Sequence, residues 1–207
     1  MSAELVFKIA FVAAFVVAST IAARTARVAR REHGGSLNQL TNEARGLIWI
    51  RGGLGIVFYA ALFAWLFASQ RARWAYVDLP SALRWSAAVG LIPVLAFFRS
   101  SFVQLGSNYR GGVGLYDRHE LVVRGPYAVV RHPIYAAFIA IMVLVLLLSA
   151  NWVLGLSGLL LVSSIAVVRI PVEEQQLGER FGSAWMDYAR QTGSLIPFVG
   201  RRPHDLL

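Results

Sequence analysis

The chain contains no cysteine, which removes disulfides, thiolate metal sites and cysteine nucleophiles together. Histidine is scarce: His33, His119, His132 and His204 lack a metal-ligand spacing, so no metal site is expected. Charge is thin, 15% of residues against 57% hydrophobic. With a positive mean hydropathy, that places the chain among helical membrane proteins rather than soluble domains. Acids are fewer than bases, 11 against 20, leaving a net charge of +9. Nucleic acid is one partner for such a charge, but the arginines cluster around hydrophobic runs, as in positively charged cytoplasmic loops. The 207 residues hold no internal repeat or low-complexity segment and suit one compact bundle. A dinucleotide fingerprint is also missing. Arg110-Gly-Gly-Val-Gly114 has neither the G-x-G-x-x-G spacing nor a preceding strand, and reads as a flexible connector.

What is present is a series of apolar runs. Residues 5–23 are long enough to cross, since about 20 residues at about 1.5 Å each span the hydrocarbon core. Arg24, Arg27, Arg30 and Arg31 follow that run; a cleaved signal peptide carries its charge before the apolar stretch, so this reads as a retained span. Residues 47–67 form a second span, where Gly52, Gly53 and Gly55 would let another helix approach closely. The third, 82–98, is weaker, with Arg84 at one end and Pro93 inside. Residues 134–148 and 152–168 are separated only by Ser149, Ala150 and Asn151, which implies an antiparallel helical hairpin. The expected fold is all-α, an integral membrane bundle of about five transmembrane helices with a C-terminal amphipathic helix. N-terminal transmembrane helices would fill 1–98, and the polar motifs would fall in 99–207.

Five crossings put 24–46, 99–133 and the tail after 168 on one side, with most of the arginines. That excess predicts an outside N-terminus and a cytoplasmic C-terminus. A four-span alternative, with 82–98 lying in the interface, would separate the polar segments across the membrane.

The densest chemistry lies between His119 and Tyr135: His-Glu-Leu-Val-Val-Arg-Gly-Pro-Tyr-Ala-Val-Val-Arg-His-Pro-Ile-Tyr. Pro133 suits the first turn of a helix, where no backbone donor is lost. Headgroup anchoring explains Arg131 and His132 singly, and an aromatic belt explains Tyr127 and Tyr135; their concentration points to a site. A second cluster follows the fifth run, Arg169-Ile-Pro-Val-Glu173-Glu174-Gln-Gln-Leu177. Arg169, Glu173 and Leu177 recur every four residues and would share one helix face. Leu177, Phe181, Trp185 and Tyr188 continue an apolar stripe, as in an amphipathic helix. Pairing with Arg169 and the helix dipole accounts for Glu173 and Glu174 structurally, yet an ionisable cluster at a membrane boundary is a functional candidate.

Together these motifs resemble the isoprenylcysteine carboxyl methyltransferase (ICMT) family, in its bacterial-type integral membrane form. The matching residues are His119, Leu121, Val122, Gly125, Tyr127 and the Arg131-His132-Pro133-x-Tyr135 element. Arg169-x-x-x-Glu173-Glu174-x-x-Leu177, Phe181-Gly182, Tyr188 and Ile196-Pro197 follow. The resemblance implies a C-terminal half that binds S-adenosyl-L-methionine from the cytosol and a lipophilic acceptor that enters from the bilayer. It assigns to the cofactor His119, Glu120, Leu121, Val122, Tyr127, Arg131, His132, Pro133, Ile134, Tyr135, Glu173 and Glu174. Arg169 and Glu173 become the catalytic pair, with Arg169 and Trp185 toward the acceptor. Two residues depart from the pattern: Ala137 stands where glycine is frequent, and Trp185 where tyrosine is.

The resemblance implies carboxyl O-methylation of an isoprenylcysteine-like acceptor, by a multi-pass protein of a bacterial inner membrane whose site faces the cytoplasm. A carboxylate acceptor needs no general base, whereas an amine would require one, for which Glu173, Glu174 and His132 are candidates. Phospholipid or amine N-methylation is therefore the alternative chemistry. A non-catalytic lipid-binding or regulatory protein is the alternative class. A nicotinamide-dependent reductase has no supporting motif.

Overall fold

The computed structural model describes residues 2–33, 45–109 and 120–199. Six α-helices carry them: α1 Ala3–His33, α2 Arg45–Phe67, α3 Ser81–Leu105, α4 Pro133–Ser149, α5 Trp152–Phe181 and α6 Ser183–Gln191. Among the described residues, four helices are long and apolar enough to cross a membrane, and Pro133–Ser149 is a shorter apolar helix. The chain is thus a multi-pass helical membrane protein. Its lipid-facing character is visible in side chains such as Trp49, Ile56, Phe63, Phe67, Ile92 and Val167, large apolar groups left exposed on the helices. Water would not tolerate that much exposed apolar surface, but lipid does.

The third run, weak by composition, forms a continuous helix that carries Pro93 in its interior and continues to Leu105. Residue 98, the expected division between halves, lies inside it. Pro133 opens α4, as its missing N–H favours.

The fold comprises two compact units. The first is Met1–Ala18, Glu43–Ala96 and Phe138–Ile165. Its core holds Phe7, Trp65, Leu91, Leu148 and Leu154, and an ionic network closes one end. Glu4 accepts hydrogen bonds from Trp65 (3.1 Å) and Arg84 (2.7 Å), and Lys8 donates to the Leu66 carbonyl and the Ser69 hydroxyl. The hairpin between α4 and α5 forms as expected. Ala150 takes a left-handed φ of 51°, and the Asn151 side chain caps α5 by accepting from the Leu154 N–H at 3.0 Å. Close approach in this unit comes from Gly155 and Gly158, where a Cβ would collide with Leu146 and with Met142 and Phe58. Gly52, Gly53 and Gly55, expected to serve that purpose, have nothing within 4 Å of a Cβ. Their helix turns that stripe toward open space.

The second unit is Ser19–Asn42, Phe97–Ala137 and Ala166–Leu207. Phe98 packs on Phe102 (4.7 Å between ring centres) and Phe102 on Tyr109 (4.9 Å). The expected amphipathic stripe is divided. Gly182, at φ 52°, ends α5 and starts α6, so Leu177 and Phe181 precede the break while Trp185 and Tyr188 follow it. Glycine adopts that left-handed backbone without steric penalty.

Candidate active site

The second unit assembles its polar cluster from three segments. Gly125, at φ 62°, opens a 3₁₀ turn over Gly125–Ala128. The chain then extends through Val130, which forms a parallel bridge with Gly193. Arg131 N–H donates to the Gly193 carbonyl (2.8 Å) and His132 N–H to that of Ser194 (3.1 Å). The His132 carbonyl accepts from Ala136 N–H, starting the helical ladder of α4. Two successive side chains, Arg131 and His132, are thereby fixed beside α5.

On α5, Glu173 and Glu174 point in different directions, because successive residues turn by about 100°. Glu174 points inward. Its Oε1 accepts from Arg131 Nε at 2.9 Å, pairs with Arg131 Nη2 at 2.9 Å, and lies 3.1 Å from His132 Nε2. The Arg131 and Glu174 side chains are only 3% and 7% exposed. Arg131 Nη1 donates to the carbonyls of Ala189 and Thr192, and Trp185 lies beneath the guanidinium at 5.9 Å. Glu173 points the other way, with its side chain 28% exposed. It accepts a 2.6 Å hydrogen bond from the Tyr135 hydroxyl, and its second oxygen is 3.6 Å from His132 Nδ1. Arg169, one turn earlier on α5, acts electrostatically on the Tyr135 hydroxyl.

His132 thus has one glutamate near each ring nitrogen. Burial by itself lowers its pKa, but the hydrogen bonds and charges of Glu173 and Glu174 outweigh burial and raise it above 6.5. His132 thus sits between Glu173 and Glu174, with Arg131 also on Glu174. Tyr127 is pushed well above its ordinary range, first by burial and then by Tyr188 and Glu173. Tyr188 is raised by burial against the opposing effect of Arg131. Both therefore remain neutral phenols, and Tyr188 donates to the Tyr127 carbonyl at 2.7 Å.

The two clusters read from sequence converge: Arg131, His132 and Tyr135 meet Glu173 and Glu174 directly. Tyr127 is buried alongside, Pro133 is buried, and Ile134 is half-buried. Leu121 and Val122 are half-buried and Glu120 is exposed, its N–H donating to Asn108 Oδ1 at 3.1 Å. His119, Arg110 to Gly114 and His204 lie outside the described residues.

Two of the expected site side chains lie inward. Arg131, expected at the cofactor, spends its donors on Glu174 and backbone carbonyls, because residues 192–194 run alongside it. Trp185, expected on the acceptor side, is 2% exposed. The turn at Gly182 folds α6 back so that its ring faces Gly178, whose Cβ position lies 3.5 Å from Trp185 Cδ1. Sequence reasoning missed Thr192, Gly193 and Ser194. Gly193 was the available signal, since a Cβ there would strike the Ile196 carbonyl. Ala137 is fully enclosed, consistent with a tight contact where glycine is frequent.

Residues 88–179 match the model of the Isoprenylcysteine carboxyl methyltransferase (ICMT) family. That segment includes the Arg131–Glu174 cluster and stops before α6. The chain is 32% identical over 83 residues to Protein-S-isoprenylcysteine O-methyltransferase B of Arabidopsis thaliana, covering 40% of this chain and 42% of that protein. It is 28% identical over 120 residues to the A form of the same plant, covering 56% and 61%. The chain therefore spans less than two thirds of these curated relatives. In fold it is similar to the solved eukaryotic intramembrane Ras methyltransferase ICMT, with a TM-score of 0.54 and 21% identity over 84% of this chain and 62% of that one.

Proposed function

We propose that this chain, whose residues 88–179 carry the ICMT-family segment, is a membrane methyltransferase. It uses S-adenosyl-L-methionine to methylate the carboxylate of a lipophilic, isoprenylcysteine-like acceptor. The observation that carries the reading is the His132–Glu173–Tyr135 triangle, in which Glu173 is anchored by a 2.6 Å bond yet keeps 28% of its side chain exposed. An anchored carboxylate with exposed surface suits an ammonium or ribose hydroxyl. Tyr127 and Tyr135 supply aromatic surface for an adenine ring or a sulfonium. This donor set fits the cofactor, which when bound supplies an electrophilic methyl group.

The chain's own residues then divide the work. Glu173 accepts from the cofactor's polar groups, and Tyr135 holds Glu173 in place. His119, Glu120, Leu121, Val122, Ile134 and Pro133 complete the cofactor's surroundings. Arg169 orients the acceptor carboxylate. Such an acceptor arrives ionised, so the protein contributes positioning and desolvation, worth about 7–11 kcal/mol when geometry is good. Arg131, Glu174 and Trp185 act beneath the site as positioning residues. The arginine excess in 24–46, 99–133 and the tail supports a cytoplasm-facing site, in a bacterial cell at the inner membrane.

The test supplies the purified, reconstituted protein with methyl-labelled cofactor and two acceptors, N-acetyl-S-farnesylcysteine and phosphatidylethanolamine. Base-labile label on the farnesylcysteine is the expected result. Label confined to the amine lipid, or no transfer, overturns the reading.

A further inference from the structure

Residues 68–80 join α2 to α3, both long and apolar enough to cross a membrane. The segment therefore lies at a membrane boundary, within the first unit, and it is tied down there. Tyr76 bridges Asn151, and Val77 N–H donates to the Ala150 carbonyl at 2.8 Å. Trp74 meets Trp152 edge-on, with 6.0 Å between ring centres. Trp74, Trp85 and Trp152 are all exposed, as tryptophans are at the headgroup level of a bilayer.

A cavity of about 460 Å³ adjoins this segment, within the about 300–1,000 Å³ of small-ligand sites. Its lining carries both signs of charge. Glu4 and Asp78 supply carboxylates and Arg73 a guanidinium, with Ser69 and Gln70 also in the wall. The Glu4 carboxylate is set in advance. Trp65 and Arg84 donate to its two oxygens at 3.1 and 2.7 Å, yet its side chain stays 35% exposed. Lys8 Nζ donates to the Ser69 hydroxyl at 2.9 Å and adds positive charge there. Arg73 and Asp78 are exposed, and neither forms an ion pair among the described residues.

Opposite charges that line one cavity without pairing to each other complement a ligand carrying both. A primary ammonium has three N–H donors for carboxylates, and a guanidinium fork matches phosphate oxygens. We propose that the cavity lined by Glu4, Arg73 and Asp78 binds a phosphoethanolamine group, its ammonium on the two acids and its phosphate on Arg73. The bilayer supplies that group as the headgroup of phosphatidylethanolamine; free phosphoethanolamine is the soluble source of the same chemistry. The cavity belongs to the first unit and the Arg131–Glu174 cluster to the second. The inference does not rest on the reaction proposed above.

Calorimetry on the detergent-purified full chain tests it, with dihexanoyl-phosphatidylethanolamine, dihexanoyl-phosphatidylcholine and free phosphoethanolamine as titrants. Choline keeps the phosphate but replaces every ammonium N–H by a methyl group. The parent is expected to bind the ethanolamine lipid about tenfold more tightly than the choline lipid, the weight of one charge-assisted hydrogen bond. Asp78→Asn should erase most of that preference, whereas Arg73→Gln should weaken both lipids. Both positions are exposed, so folding is not at stake; Glu4 is left in place because it also holds Trp65 and Arg84. Free phosphoethanolamine bound as tightly as the lipid would sustain the site with a soluble occupant, and binding of the lipid alone would sustain it with a bilayer one. Equal parent affinities for the two lipids, a preference unchanged in Asp78→Asn, or no binding of any titrant would overturn the proposal.

Discussion

Removing the Arg131 side chain tests how the site is supported. Arg131 and Glu174 are 3% and 7% exposed, and Arg131 also serves the Ala189 and Thr192 carbonyls. Arg131→Ala removes both guanidinium contacts to the buried Glu174 carboxylate and strips a donor from two carbonyls. Breaking a buried pair from one side costs about 3–5 kcal/mol. That is a large share of a stability of about 5–15 kcal/mol. For a chain of this size each kcal/mol shifts the midpoint by about 2–4 °C, so a drop of about 6–20 °C is expected. Arg131→Lys keeps the charge but cannot reproduce the planar fork, and should fall between variant and parent. Thermal unfolding in one detergent, followed by circular dichroism, gives the comparison. A midpoint for Arg131→Ala within about 2 °C of the parent would refute the reasoning, because it lies far below the cost of breaking a buried pair from one side.

Tyr135→Phe removes the 2.6 Å bond to Glu173; kcat/KM should fall about tenfold, for a charged-acceptor bond of about 1.5 kcal/mol, with little change in unfolding temperature. The raised His132 pKa gives a signed pH effect. Stability from charged His132 is full below its unfolded value near 6.5 and fades as pH rises through the higher folded value. Glu174→Gln, which weakens that shift, should complete its loss at lower pH than the parent, and lose less in all, in unfolding series above pH 6.5. Gly193→Ala should destabilise by about 1–3 kcal/mol through overpacking. Gly52→Ala, with open space around it, should be neutral or stabilising by up to about 1 kcal/mol; chemical denaturation separates the pair.

The helices were legible because each apolar run is bounded by arginines or turn residues, and Pro133 and Asn151 marked the ends that they form. The site's core was legible because Arg131-His132 and Glu173-Glu174 are compact motifs. What composition could not show was direction. Adjacent glutamates carry identical labels, yet the turn of α5 sends Glu174 inward and Glu173 outward. Gly182 looked like part of a continuous stripe, and only its left-handed backbone redirects Trp185 into the core. Thr192 to Ser194 contribute through backbone carbonyls, and carbonyls leave no trace in residue type. The glycines of α2 misled for a related reason: small residues permit close approach but do not specify which face receives it.

The central claim is that Glu173 meets the methyl donor while Glu174 holds the site from beneath. Calorimetric binding of S-adenosyl-L-methionine to the reconstituted parent and to Glu173→Gln tests it directly. Loss of one charge-assisted hydrogen bond, about 1.5–3 kcal/mol, should weaken affinity about 10- to 150-fold while the unfolding midpoint stays near the parent's. Equal affinities for the two proteins would contradict it.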